Sequence, residues 1–108
     1  MIARTWHATA TREQASTYQC HFATKVVPHL KAIAGYRGAS LLRRDIDGGV
    51  EFLAVTLWHS LDSIRAFAGS DPEKAVVDPE AQAVLTKFDT VAGNYQVAHS
   101  DDRTCGPR

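Results

Sequence analysis

Residues 51–71 read Glu51-Phe-Leu-Ala-Val-Thr-Leu-Trp58-His59-Ser60-Leu-Asp-Ser-Ile-Arg-Ala-Phe67-Ala-Gly69-Ser-Asp71, and the stretch divides at Ser60. Phe52 to Trp58 is a run of apolar and β-branched residues, too short for a globular helix and rich in strand formers. Beyond it, Leu61, Ile64, Phe67 and Ala68 recur at helical spacing, with Ser60 placed to cap the start and Gly69 the end. A central strand therefore feeds a short helix, and Trp58 sits at the junction. Both faces of the strand are apolar: Phe52, Ala54 and Trp58 alternate with Leu53, Val55 and Leu57. Such a strand expects cover on both sides.

Upstream, Asp45-Ile-Asp47-Gly48-Gly49 is a hairpin turn, since Asp-Gly and Gly-Gly accept positive φ. It joins the central strand to an antiparallel one running from Tyr36 to about Arg44. Before that, Thr11 with Gln14 three residues on forms a capping box for a helix. Its apolar stripe is Ala15, Tyr18, Phe22, Val26, His29, Leu30 and Ile33. Pro28 inside the stripe predicts a kink, and Gly35 a stop. Residues 2–8 alternate as a strand, with Ile2, Arg4 and Trp6 on one face and Ala3, Thr5 and His7 on the other. Downstream, Asp71-Pro72-Glu73 and Asp78-Pro79-Glu80 each read as a helix start, predicting short helices near 72–77 and 79–87. A last strand is expected from Thr90 to Ala98, with Val91, Tyr95 and Val97 on one face. Residues 99–108 have no apolar pattern and are expected to be a loose tail to a 1–98 domain.

The order is β-α-β-β-α-β. That is the α+β, ferredoxin-like arrangement: an antiparallel four-stranded sheet with helices on one face. A second copy of the chain is the economical cover for the other face, so a homodimer is expected. The chain has 108 residues, enough for one domain. Its twelve basic and twelve acidic side chains cancel, and no basic stripe points to a nucleic acid. No apolar run is long enough to span a membrane. The first residues lack the features of a signal peptide, and Cys20 and Cys105 are not a disulfide framework, so a cytoplasmic setting is expected.

Several segments together resemble the antibiotic biosynthesis monooxygenase (ABM) domain family, over residues 1–98. They are Met1-Ile-Ala-Arg-Thr-Trp-His7, Ala34-Gly35-Tyr36-Arg37-Gly38, Leu-Leu-Arg-Arg at 41–44, Leu-Trp-His-Ser-Leu at 57–61, Ile-Arg-Ala-Phe-Ala-Gly at 64–69 and Ala-Val-Val-Asp-Pro-Glu-Ala at 75–81. The resemblance implies a dimeric α+β barrel with a small-molecule cleft between sheet and helices. It implies an oxygenase using O2 and no cofactor on a small aromatic or polyketide-like substrate, or else a non-catalytic binding module or a haem-degrading relative. The quinone-forming members use an Asn in strand three, a Trp at its end, a Tyr in the next helix and an Arg beyond. Those positions carry Ala54, Trp58, Ile64 and about Asp78 here, so only the Trp is kept. The haem-degrading members use an Asn in strand one, a Trp in the short helix and an axial His. These fall on His7, Phe67 and about Val77, and none is kept.

Trp58 is the first candidate for chemistry: its indole N–H could hold a substrate oxygen. The alternative is a core tryptophan whose N–H bonds within the chain. His7 and His29 are the second. If helix one covers the His7 face, both imidazoles enter one space, where His7 could take a phenolic proton. The expected catalytic residues are thus His7 and Trp58, with Tyr18, Phe22, His29 and Phe67 lining the substrate site. No His or carboxylate spacing suggests a metal, and none is expected.

Overall fold

The computed structural model describes residues 1–101. Strand β1 (Ile2–Ala10) lies at the centre of the sheet. On one side it pairs antiparallel with β3 (Gly49–Trp58), in a register running from Ile2 opposite Trp58 to Ala10 opposite Val50. Strand β2 (Tyr36–Ile46) pairs with the far edge of β3. The other side of β1 is shared by two short strands: β4 (Lys87–Phe88) opposite Ala8 and Thr9, and β5 (Gly93–Gln96) opposite Ile2 to Thr5. The sheet is α+β and antiparallel, as expected, but has five strands. The strand expected over 90–98 is shortened to β5, and β4 forms at the end of the region expected as helix; between them the chain leaves β1 after Asp89. Asp89 N–H bonds the His7 carbonyl at 3.0 Å, and the Ala92 amide turns to Glu73 at 2.8 Å. Val91 is therefore exposed rather than aligned with a strand face.

The helical layer covers one face. Helix α1 (Arg12–His21) begins at Thr11, whose hydroxyl accepts from the Gln14 amide at 3.2 Å. A π-helical segment, Phe22–Val26, follows, and then α2 (Val27–Lys31). The kink read from Pro28 is thus a change of helical hydrogen bonding. Proline has no N–H and its ring crowds the carbonyl one turn back. The wider turn lies just ahead of it: the Val27 amide reaches the Phe22 carbonyl five residues back, and the Thr24 hydroxyl bonds the Cys20 carbonyl at 2.8 Å.

Helix α3 (Leu61–Ala68) begins at Ser60, whose hydroxyl accepts from the Ser63 amide at 3.3 Å, and ends at Gly69. Helix α4 (Pro79–Val84) begins at Asp78, whose Oδ1 accepts from the Ala81 amide at 2.8 Å. The helix expected at 72–77 does not form. Asp71 caps only the Glu73 amide; Lys74 then bridges Val91 as an isolated β-pair, and the Ala75 amide bonds the Thr90 carbonyl. Residues 71–74 make a turn, with the Lys74 amide on the Asp71 carbonyl at 3.2 Å, and 75–77 continue it as an irregular strap.

Val50, Phe52, Ala54, Thr56 and Trp58 of β3 are buried under the helices. Leu53, Val55 and Leu57 face the other way and are half-buried, beside the exposed Leu42. The core forms two clusters. One gathers Ala8, Tyr18, Phe22, Phe52 and Leu85; the other is Leu30, Trp58 and Ile64 with Phe67 and Tyr36 against it. Residues 99–101 carry no regular structure; the rest of the expected tail, Cys105 included, lies outside the described residues.

Gly35 takes φ +93°, and a Cβ there would lie 2.0 Å from Ser63 Oγ, where β2 enters beside α3. Gly48 takes φ +80° in open space. Gly35→Ala should therefore lower unfolding free energy by about 3 kcal/mol or more, and Gly48→Ala by about 1–2 kcal/mol. Urea denaturation checks this; equal losses would contradict the close approach at Gly35.

Candidate substrate cavity

A cavity of about 70 Å³ lies where the two core clusters meet. From β1 it is lined by Arg4 and Trp6, and from β3 by Ala54 and Thr56. The register sets Arg4 directly opposite Thr56 and Trp6 opposite Ala54, so these four side chains form its floor. The long helical layer supplies Tyr18, Phe22, Val26 and Leu30, at intervals of four. Four residues overshoot an α-helical turn by about 40°, which would soon carry such a row off one face. The wider π turn between Phe22 and Val26 offsets that drift and keeps the row on the cavity. Phe67 closes one end, the strap residues Ala75, Val76 and Val77 form the roof, and Asp78 and Ala81 close the other end.

The polar groups in this apolar space are few. Arg4 is only 5% exposed. Its Nη2 donates to the Lys74 carbonyl at 2.6 Å, and its Nη1 to the Pro72 carbonyl and, at 3.4 Å, to Asn94 Oδ1. Asn94 in turn donates to the same Pro72 carbonyl at 2.8 Å. Phe67 lies beneath the guanidinium, 5.8 Å from its carbon. Burial lowers the Arg4 pKa, and Asp71 partly opposes the shift. The Tyr18 hydroxyl has no partner among the described residues; burial, and then the charge of Asp78, push its pKa well up, so it remains a neutral donor. Thr56 Oγ1 accepts from Trp58 Nε1 at 2.8 Å, which turns the hydroxyl proton of Thr56 away from the indole.

Asp78 belongs to a second arrangement. His21 is buried, with Nε2 3.0 Å from Asp78 Oδ2 and Nδ1 3.1 Å from Glu80 Oε2. Each ring nitrogen thus faces a carboxylate oxygen. Burial pushes the Asp78 carboxyl up, but the Ala81 amide, the His21 hydrogen bond and the His21 charge together hold it below the usual carboxylate range. The carboxylates occupy opposite edges of the ring and cannot share an ion; no metal-holding cluster occurs among the described residues. The arrangement ties α1 to α4.

Tyr18, Phe22 and Phe67 line the cavity. Trp58 does not: it is fully buried behind Thr56, stacked on Phe67 with centroids 5.8 Å apart. His29 is exposed on the outer side of Phe67, 6.1 Å between ring centres. His7 points the other way altogether. It is half exposed on the opposite sheet face, with Nδ1 3.6 Å from Asp89 Oδ2. The condition that would have joined His7 to His29 fails, because the helices cover the Ile2, Arg4 and Trp6 face. Arg4 disguises that face in the sequence, since a charge between two apolar residues reads as solvent-facing. Arg4, Thr56 and Asp78 were missed as cavity groups. The alternation of β1 and β3 placed Thr56 beside Trp58's neighbours, which was the available signal for it.

Asp78→Asn keeps the helix cap, since Asn caps as well as Asp, and removes the charge facing His21. A carboxyl held below its unfolded pKa contributes stability that is full above about pH 4 and is lost as pH falls through its folded value. The wild-type chain should therefore melt higher than Asp78→Asn at pH 7, with the gap closing below about pH 4. Thermal melts across pH test this; a gap of the same size at pH 3 would contradict it.

No protein-family model matches the chain, and no curated protein matches it in sequence. Solved structures do match. An antibiotic biosynthesis monooxygenase-type protein from Bacillus cereus superposes with TM-score 0.67 at 16% identity, over 94% of this chain and 95% of that one. A single-residue variant of SnoaB, a cofactor-independent oxygenase from Streptomyces nogalater, gives 0.65 at 17% identity, over 92% and 94%. A variant of MhuD with two manganese protoporphyrin IX bound per active site gives 0.66 at 18% identity, over 94% and 99%. The fold of this chain is that of the antibiotic biosynthesis monooxygenases.

Proposed function

We propose that the chain is a cofactor-independent monooxygenase that oxidises a small aromatic or polyketide-like molecule in the cavity between sheet and helices. The observation that carries this reading is the cavity itself: apolar walls with unpartnered hydroxyl donors on Tyr18 and Thr56. A phenolic ring with an activated CH2 fits that chemistry. The CH2, acidified by the carbonyl beside it, gives up a proton to water, and the enolate oxygen is held by the two hydroxyls. The carbanion passes an electron to O2, and the pair combines and takes a proton back from water as a hydroperoxide. Loss of water leaves a carbonyl, so CH2 and O2 become C=O and H2O. Trp58 acts through Thr56 by holding its hydroxyl.

Haem fits this cavity poorly. Of the lining residues only Tyr18 is of a type that ligates haem iron, and Val77 offers no ligand. The open sheet face around Leu42, Leu53, Val55 and Leu57 supports a homodimer, since apolar area on that scale is otherwise a liability. A cytoplasmic setting remains part of this reading.

Incubation with an anthrone in air tests it, following quinone absorbance and O2 uptake. The protein should form quinone faster than buffer does, with equal uptake of O2. Thr56→Val should lower kcat by about tenfold to a hundredfold, while His7→Ala leaves it unchanged. A wild-type rate no faster than buffer removes the activity; unaltered turnover in Thr56→Val removes the assigned donor. Leu53→Lys should convert a dimeric mass in light scattering to that of one chain.

A further inference from the structure

We propose that Arg4 makes the cavity selective for a ligand that carries an anionic oxygen, a carboxylate or a phenolate, presented beside an aromatic ring. This rests on the reading that the cavity is a substrate site, and it names the class of substrate.

Donor and acceptor accounting carries the inference. A guanidinium has five N–H donors. Three of them in Arg4 serve Pro72, Lys74 and Asn94, which leaves Nε–H and one Nη2–H. Among the described residues no fully buried side-chain nitrogen lacks a partner, so the unpaired Nε of Arg4 reaches open space, and the space beside Arg4 is the cavity. Directly across the strand pair, the Thr56 hydroxyl proton has no acceptor. The Tyr18 hydroxyl adds a further donor on the helical wall. The one carboxylate on the wall is Asp78, whose two oxygens are occupied by the Ala81 amide and His21. A space with a spare guanidinium N–H, which can only donate, and two hydroxyls beside it is completed by an acceptor.

Charge makes that acceptor an anion. Among the described residues, no carboxylate oxygen lies within ion-pair distance of Arg4, although it is 95% buried. Asp71 acts on it only from farther away, and its close partners are neutral. Asp78, the other charge on the cavity, is offset by His21. A buried cation held only by neutral oxygens gains most from a ligand that brings the missing charge. Phe67, whose ring centre lies 5.8 Å from the guanidinium carbon, gives the ligand's ring an aromatic wall beside the charge.

Binding is compared within charge-matched pairs: benzoate against benzamide, and p-nitrophenolate against p-nitroanisole. It is followed by NMR titration of the indole N–H signals of Trp6, on the cavity wall, and Trp58, bonded to Thr56. The anion of each pair should bind at least about tenfold more tightly than its neutral partner, and comparison of the two anions shows which source of the oxygen is preferred. Arg4→Met should remove the preference. If Arg4→Met does not fold, as its spectrum will show, Arg4→Lys serves: it keeps a charge but cannot hold both strap carbonyls and still face the cavity, so the preference should fall severalfold. Equal binding of anion and neutral partner by the wild-type chain, an unchanged preference in either variant, or no binding by any of the four overturns the inference. Selective binding without anthrone oxidation would remove the proposed reaction and leave Arg4's role standing; oxidation without selectivity would do the reverse.

Discussion

A guanidinium buried in the middle of a small domain must find its acceptors inside the chain. Arg4 sits on the central strand, under the helices, and draws no carboxylate into ion-pair contact among the described residues. Its acceptors are the carbonyls of Pro72 and Lys74. A helix over 72–77 would commit its backbone to its own ladder; the turn and strap instead leave those carbonyls free to face Arg4. The strap then becomes the roof of the cavity, and β5 is locked in beside it through Asn94. One buried charge thus settles the path of the segment after α3, the closure of the sheet edge and the polarity of the cavity floor.

The opposite wall obeys a different constraint. Pro28 cannot continue an α-helix without a carbonyl clash, and the turn just ahead of it is widened. The widening keeps Tyr18, Phe22, Val26 and Leu30 in one row. A straight helix of the same sequence would direct part of this row away from the sheet. The cavity therefore exists between two local compromises, a proline that forbids regular helix and an arginine that forbids solvent.

Those compromises also mark the limit of what the sequence discloses. The strand ending at Trp58, the caps at Thr11, Ser60 and Asp78, and the hairpin at Gly48 are written in local chemistry, and each has its expected hydrogen bond or dihedral. Asp71-Pro72-Glu73 carries the same local signal as Asp78-Pro79-Glu80, yet only the second starts a helix. The difference is Arg4, sixty-eight residues from Pro72 along the chain. The site failed in the same way. Alternation sorted β1 correctly into two faces, but which face lies under the helices depends on long-range acceptors for Arg4. His7 was consequently expected in a cavity that it faces away from.

Trp58 shows how a residue can matter at a site that it does not line. Its ring fills the core against Phe67 and Tyr36, which fixes the end of β3. Its N–H is spent on Thr56. A hydroxyl that already accepts a hydrogen bond from a rigid indole has fewer orientations for its own proton, and Thr56 lines the cavity. The tryptophan is therefore both core and positioning residue, and the two readings of it are not alternatives. The same holds for Phe67, which packs on Trp58 with one part of its surface and supports the Arg4 guanidinium with another. In so small a domain the core and the cavity wall are one layer of side chains, so a group held rigid for packing is already oriented for binding.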